Sequence, residues 1–224
     1  MGDIVTEQRY NRGELEKEFG KLRETSPLVE QSVNKKSIIT VVGHKAAFWL
    51  SLQNKDTLLD IGTGMGRWAF HFAPCCDNVI GIDISENLLT KAREKALGEG
   101  ISNVHFVRGS FENLFEEESG IKAEPNKILC VYAFHHLTDS MKAEFLKDIA
   151  RRWKHSLTLV IADLMWFTDP KTLRDQWDEV FYDEGDTDFP PNAFWLKDVA
   201  RPHFDTAFLI KIHPLVGILV AETR

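Results

Sequence analysis

Between residues 57 and 163 the chain alternates short apolar runs with stretches of helical spacing. Leu58, Leu59 and Ile61 make the first run, Val79, Ile80 and Ile82 the second, and residues 104–107, 127–132 and 157–162 the next three. Runs of this length bounded by polar residues or glycine read as buried strands. Residues 67–73 read as a helix opening. Residues 86–97 read as a full helix, with Ser85 at its N-cap and Gly98 and Gly100 past its end. Thr138 or Asp139 caps another helix that runs to about residue 154. Strands separated by helices predict βαβ units and a parallel sheet covered on both faces. Residues 204–212 and 217–221 are two more strands, and the turn over 214–217 is short enough to force an antiparallel hairpin. The expected fold is therefore α/β and doubly wound: a mostly parallel seven-stranded sheet with an antiparallel C-terminal hairpin and helices on both faces.

The pattern also divides the chain. Ahead of the first strand, Leu15, Phe19 and Leu22 stand at helical spacing, and Ser26-Pro27 opens a new segment. Residues 41–52, with Phe48, Trp49 and Leu50, predict an apolar helix feeding the first strand. Residues 1–56 thus read as an N-terminal helical layer or a cap, in which Arg9 and Tyr10 are candidates to touch a ligand. Residues 57–163 are the core, 164–200 an acidic and aromatic insert, and 201–224 the hairpin that completes the sheet.

Composition narrows the partners. A net charge of −7 argues against a protein that holds nucleic acid on a broadly basic surface. Three cysteines, two of them adjacent at Cys75 and Cys76, provide neither a disulfide framework nor metal-ligand spacing, which fits a reducing compartment. No apolar run reaches the length of a membrane span, and the first residues are too polar for a signal peptide. The expectation is a soluble cytoplasmic protein.

The first strand ends in Asp60-Ile61-Gly62-Thr63-Gly64-Met65-Gly66, three alternate glycines behind an acid. Glycine permits positive φ and lets a ligand approach the backbone. Asp83 ends the second strand about 20 residues after the first glycine, where a carboxylate is placed to accept from a ribose. A dinucleotide turn needs its third glycine one position later, where this chain has Arg67. The spacing instead resembles the motif of class I S-adenosylmethionine-dependent methyltransferases, whose core is a Rossmann-like sheet. The resemblance covers about residues 45–163 and 200–224, and not 164–200. It implies S-adenosylmethionine as cofactor and S-adenosylhomocysteine as product. The turn residues Asp60, Gly62, Thr63, Gly64 and Gly66 would hold it, Asp83 would take the ribose, and Ile84 would lie against the adenine. Ser110 and Phe111 follow the third strand where the family borders the adenine, often with an acid at the Ser110 position. Ala133 opens the loop after the fourth strand, facing the methionine part.

That loop, Ala133-Phe134-His135-His136-Leu137, lacks the (D/N)PP(Y/F) tetrapeptide of enzymes that methylate exocyclic base amines, and it looks like the loop of small-molecule methyltransferases. His135 and His136 are candidate catalytic bases, since imidazole titrates near neutrality. Being adjacent, they are expected to point in different directions, one to the substrate cavity and one into the protein. The insert mixes Asp175, Asp178, Glu179, Asp183, Glu184, Asp186 and Asp188 with Trp177, Phe181, Tyr182 and Phe189. It reads either as a fixed cap or as a lid that admits a neutral or cationic, partly aromatic acceptor. Asp183-Glu184-Gly185-Asp186 has no strong metal-ligand spacing, so no metal is expected. The reading is a methyltransferase acting on a small molecule. Its rivals are an enzyme with an RNA or protein acceptor, a non-catalytic S-adenosylmethionine-binding regulatory subunit, and a nicotinamide-dependent oxidoreductase.

Overall fold

The computed structural model describes residues 10–21, 37–114, 121, 123–153 and 155–224. Arg9, Leu22 and Ser26-Pro27 lie outside them. The elements run α1 (Arg12–Lys21), α2 (Ile38–Leu50), β1 (Thr57–Ile61), α3 (Arg67–Phe72), β2 (Asn78–Asp83), α4 (Glu86–Gly98) and β3 (Val104–Arg108). They continue with β4 (Lys127–Val131), α5 (Asp139–Arg152), β5 (Leu157–Leu164), α6 (Ala193–Ala200), β6 (Thr206–His213) and β7 (Val216–Thr223). Among the described residues no helix is long and apolar enough to cross a membrane.

The seven strands form one sheet in the order β3-β2-β1-β4-β5-β7-β6. β1 to β5 pair in parallel, while β7 runs antiparallel to both β5 and β6, as the short turn required. Strand residues alternate between two cores, since successive side chains leave opposite faces. Leu58, Val79, Leu129, Val160 and Val220 pack on one side with Val42 and Ala46 of α2, Trp68 of α3 and Leu89 of α4. Leu59, Ile80, Ile128, Ile161 and Leu219 pack on the other with Phe145, Leu146 and Ile149 of α5 and Leu196 of α6. Helix starts follow local chemistry: Ser37, Ser85, Thr138 and Asn192 each accept from a backbone N–H of the first turn.

Residues 164–200 divide in two. Its last part is α6, which packs with α5 on the sheet. The earlier part carries short 3-10 turns at Pro170–Gln176 and Asp178–Val180 and folds over the strand ends. It is fastened at its base, where the Trp166 N–H donates to Pro191 O and the Ala193 N–H to Trp166 O.

Gly43 explains how α2 meets α3. A Cβ at this position would stand 1.8 Å from the Trp68 ring, which itself stacks on Phe72. Gly43→Ala gains helix propensity, about 1 kcal/mol, but displaces that ring. We expect a net loss of about 1–3 kcal/mol in urea denaturation. Gly98→Ala, whose Cβ meets nothing within 4 Å, should show no loss in the same assay.

Candidate functional site

The sheet order reverses between β1 and β4, the position where open α/β sheets bind ligands beyond the strand ends. A cavity lies there. Its floor is the glycine turn and the end of β2, and one wall is the loop after β4. The two loops touch: a Cβ on Gly62 would stand 2.4 Å from Ala133 Cβ, so only glycine allows this approach. Gly62 and Gly64 have φ of 72° and 56°, which favours glycine on conformational grounds too. A Cβ on Gly64 would meet nothing within 4 Å, although Gly64 lines the cavity. The backbone there is open to whatever binds.

Thr63, Asp83, Ile84, Ser110, Phe111, Ala133, His135 and His136 also line this cavity. The Asp83 carboxylate accepts from the Gly64 N–H (2.8 Å) through one oxygen and from the Ser85 N–H (2.8 Å) through the other. This ties the end of β2 to the glycine turn. Burial raises the Asp83 pKa, and those N–H donors oppose the rise. The Ser110 hydroxyl donates to Asn113 Oδ1 (3.1 Å), so towards a ligand it has acceptor capacity to offer. The Phe111 ring packs edge-on to Phe134 and Phe145.

Asp60 and Gly66 do not line the cavity. Asp60 is buried beneath the turn, where it accepts from the Thr63 hydroxyl at 2.6 Å. Burial pushes its carboxyl up to about 7, against the Thr63 and Ala69 donors. Gly66 (φ 84°) packs under Phe70 and Phe106, where a Cβ would come within 2.7 Å of both rings. Both residues shape the turn from behind.

Asp163, at the end of β5, organises the wall. Its Oδ2 accepts from the N–H groups of Ala133 (3.0 Å), Phe134 (2.6 Å) and His135 (3.2 Å). Its Oδ1 accepts from the Leu164 N–H (2.7 Å) and lies 2.5 Å from His135 Nδ1. The 3-10 turn Phe134–His136 is thus built on one buried carboxylate. Ahead of it Tyr132 is held at φ 54°, and its buried hydroxyl finds no hydrogen-bond partner among the described residues. Tyr132 lines the cavity, and an acceptor atom on a bound ligand would satisfy that hydroxyl.

The histidines do not diverge. Their ring centroids are 4.0 Å apart and both line the cavity. Asp163 holds the His135 ring through Nδ1, and the His136 ring lies beside it with Nδ1 towards Asp188 and Thr187 O. Asp188, from the insert, completes the group: its Oδ1 is 3.1 Å from His136 Nδ1 and 3.7 Å from His135 Nε2. Burial lowers the His135 pKa, but Asp163 and Asp188 outweigh it and the net shift is upward. His136 is shifted down, by burial and then by His135 beside it. The spacing along the insert suggested no metal ligands, yet three metal-binding side chains meet here from two distant segments.

The cavity has further walls from the N-terminal layer, where the sequence marks Tyr10 as a candidate to touch a ligand but not Leu15 or Glu18, and from the insert. Leu15, Glu18 and Phe19 of α1 and Tyr10 ahead of it face the cavity from above, and Phe181 and Asp183 enter from the insert. Phe19 meets His136 edge-on at 5.2 Å. The Phe189 N–H donates to His135 O (2.7 Å), and the buried Lys142 ammonium donates to Phe189 O (2.6 Å), which pins the insert to the wall. Asp163 had a readable signal, a lone acid ending an apolar strand. Asp188 had none, being one acid among many.

The comparisons agree with this geometry. Residues 58–156 match the family model of a methyltransferase domain. An uncharacterized methyltransferase, YcgJ of Bacillus subtilis, is 33% identical over 114 residues, 50% of this chain and 42% of that one. The 23S rRNA (uracil(1939)-C(5))-methyltransferase RlmD of Legionella pneumophila is 29% identical over 80 residues, 36% of this chain and 18% of that protein. The chain therefore spans less than half the length of these relatives. Among solved structures, a SAM-dependent methyltransferase from Aquifex aeolicus superposes with a TM-score of 0.59 over 96% of this chain and 100% of that one, at 17% identity. PH0226 of Pyrococcus horikoshii reaches a TM-score of 0.64 over 86% and 94%, at 18% identity. At such identities the likeness is one of fold.

Two outcomes follow for the buried carboxylates. Asp163→Ala strands several backbone donors, each costing about 1–3 kcal/mol if left unpaired. We expect at least about 3 kcal/mol of lost stability by denaturant titration. Asp60 is a pH effect. Its folded pKa is raised, so the stability tied to its protonation is full below about 4 and is lost as pH rises through about 7. Against Asp60→Asn, the natural protein should lose relative stability across that window in melts taken at pH 4.5 to 8.

Proposed function

We propose that this chain is a class I S-adenosylmethionine-dependent methyltransferase that transfers a methyl group to a small-molecule acceptor. The family's cofactor, S-adenosylmethionine, supplies a methyl group on a sulfonium that is already activated for transfer. The residues at the strand ends fit it. Asp83 is a carboxylate beside an open glycine turn, suited to the ribose hydroxyls. Ile84 and the Ser110–Phe111 backbone border the adenine side, and Gly62, Gly64 and Ala133 leave room for the methionine part. The chain's own contribution is to bind, orient and exclude water, because close placement of the nucleophile supplies much of the acceleration. Deprotonation of the acceptor falls to the wall formed by His135, His136 and Asp188, which line the same cavity as Asp83.

The observation that carries a small acceptor is the lining of the cavity. Phe19 of α1 and Phe181 of the insert line the cavity, with Glu18, Asp183 and Asp188 among its polar groups. Aromatic surfaces with acids between them suit a neutral or cationic molecule and repel a phosphate chain. The likeness to RlmD supports an RNA acceptor instead, so the test separates the two. The purified protein is incubated with radiolabelled S-adenosylmethionine and a cell extract, and the extract is then divided into small molecules, RNA and protein. Label in the small-molecule fraction is expected. Label confined to RNA or protein overturns the small acceptor, and S-adenosylhomocysteine binding without any transfer favours a regulatory subunit.

Cofactor binding has its own check. Asp83→Ala removes charge-assisted hydrogen bonds worth about 1.5–3 kcal/mol each, so S-adenosylhomocysteine affinity should fall at least tenfold by calorimetry. Gly64→Val should abolish it, since the new side chain meets no protein neighbour and enters the ligand's space at a backbone φ of 56°.

A further inference from the structure

We propose that His135, His136 and Asp188 form a binding site for a divalent transition-metal ion at the acceptor end of the cavity. Two imidazoles and one carboxylate from separate segments offer ligand atoms that all lie within 4.8 Å of one another. Ligands about 2.0–2.1 Å from one ion stand about 3.0–3.4 Å apart in octahedral or tetrahedral geometry. Of the observed separations to the same Asp188 oxygen, 3.1 Å from His136 Nδ1 lies within that range and 3.7 Å from His135 Nε2 lies above it. The longer one exceeds a hydrogen bond. An ion between these atoms would draw the three side chains closer together.

The surroundings fit a metal ligand set. His135 Nδ1 is 2.5 Å from Asp163 Oδ1, and that carboxylate also accepts four backbone N–H groups, so it can serve His135 only as an acceptor. The proton therefore sits on Nδ1, and Nε2 presents its lone pair towards Asp188. A carboxylate behind a histidine, fixing its tautomer and ring plane, is the usual support of a metal-bound imidazole. Without the ion, Thr187 O at 3.1 Å accepts from the His136 Nδ1–H, so that proton must leave before Nδ1 can ligate, as metal binding releases ligand protons. Two nitrogens and one carboxylate, with positions left open to the cavity, favour zinc, iron(II), cobalt or manganese over magnesium or calcium, which prefer oxygen. An acceptor oxygen or nitrogen entering an open position would be held and polarised there. That use rests on the methyl-transfer reading, whereas binding of the ion does not.

The test uses the full chain, stripped with a chelator and titrated with zinc and, separately, cobalt(II). Calorimetry should show one ion per chain, and cobalt should produce visible absorption bands of an imidazole-ligated site. Asp188→Asn and His136→Ala should each weaken binding at least tenfold. His155→Ala, which removes an exposed histidine outside the site, should not change it. S-adenosylhomocysteine titration of each variant reports that the fold is retained. No stoichiometric binding, or binding indifferent to both site variants, overturns the proposal. S-adenosylhomocysteine binding without metal binding would leave the family reading standing and remove the ion. Metal binding without methyl transfer would uphold the site and count against the activity.

Discussion

One buried carboxylate holds this cavity in shape. Asp163 is almost fully buried, and a charge taken out of water costs several kcal/mol unless its oxygens are satisfied. Four backbone N–H groups and the His135 ring satisfy them. Three of those backbone donors and the ring come from the loop after β4, so the same bonds that offset the desolvation of Asp163 dictate that loop's path. The left-handed backbone at Tyr132, the contact of Ala133 with Gly62 and the direction of the His135 ring all depend on it. A neutral side chain at 163 would leave the loop with several buried donors and no reason to adopt this turn.

The sheet supplies the other half of the arrangement. Parallel pairing of β1 with β2 and β4 brings the ends of three strands level, and the order reverses between β1 and β4. The glycine turn can lie low there because Gly62 has no side chain to strike Ala133. Asp83 links the turn to β2 by accepting from Gly64, so the residues proposed to meet the ribose and the methionine part are rigidly coupled. Asp60, Gly66, Phe70 and Phe106 support the same turn from below without reaching the cavity.

The covering elements differ from the floor in kind. α1 and the insert touch the wall through a few specific contacts: Phe19 on His136, Phe189 N–H on His135 O, and the Lys142 ammonium on Phe189 O. Burying an ammonium is expensive and lowers its pKa to about 8, with nearby Asp139 opposing the fall. That cost is met because Lys142 donates to two carbonyls, one at the start of α5 and one in the insert. The contact places Asp188 beside the histidines. The acidic content of the insert therefore has two roles: most of it is solvated, while Asp183 and Asp188 line the cavity.

The fold and half of the cavity were legible in the chain itself. Apolar runs of five or so residues, N-cap residues and glycine stops are local signals, and they located all seven strands to within two residues at either end. The glycine turn and Asp83 were equally readable, because backbone conformation and strand-end position are properties of short segments. Other features depend on distance in the sequence. The two histidines lie side by side, His135 held by Asp163, 28 residues away, and the neighbour they share, Asp188, is more than 50 residues away. Asp60 looked like a ligand residue and is a support, because burial is decided by what packs on the turn. Periodicity states which face of an element is apolar. Only the closed structure decides which polar groups from separate loops converge, since that depends on how each buried charge finds its partners.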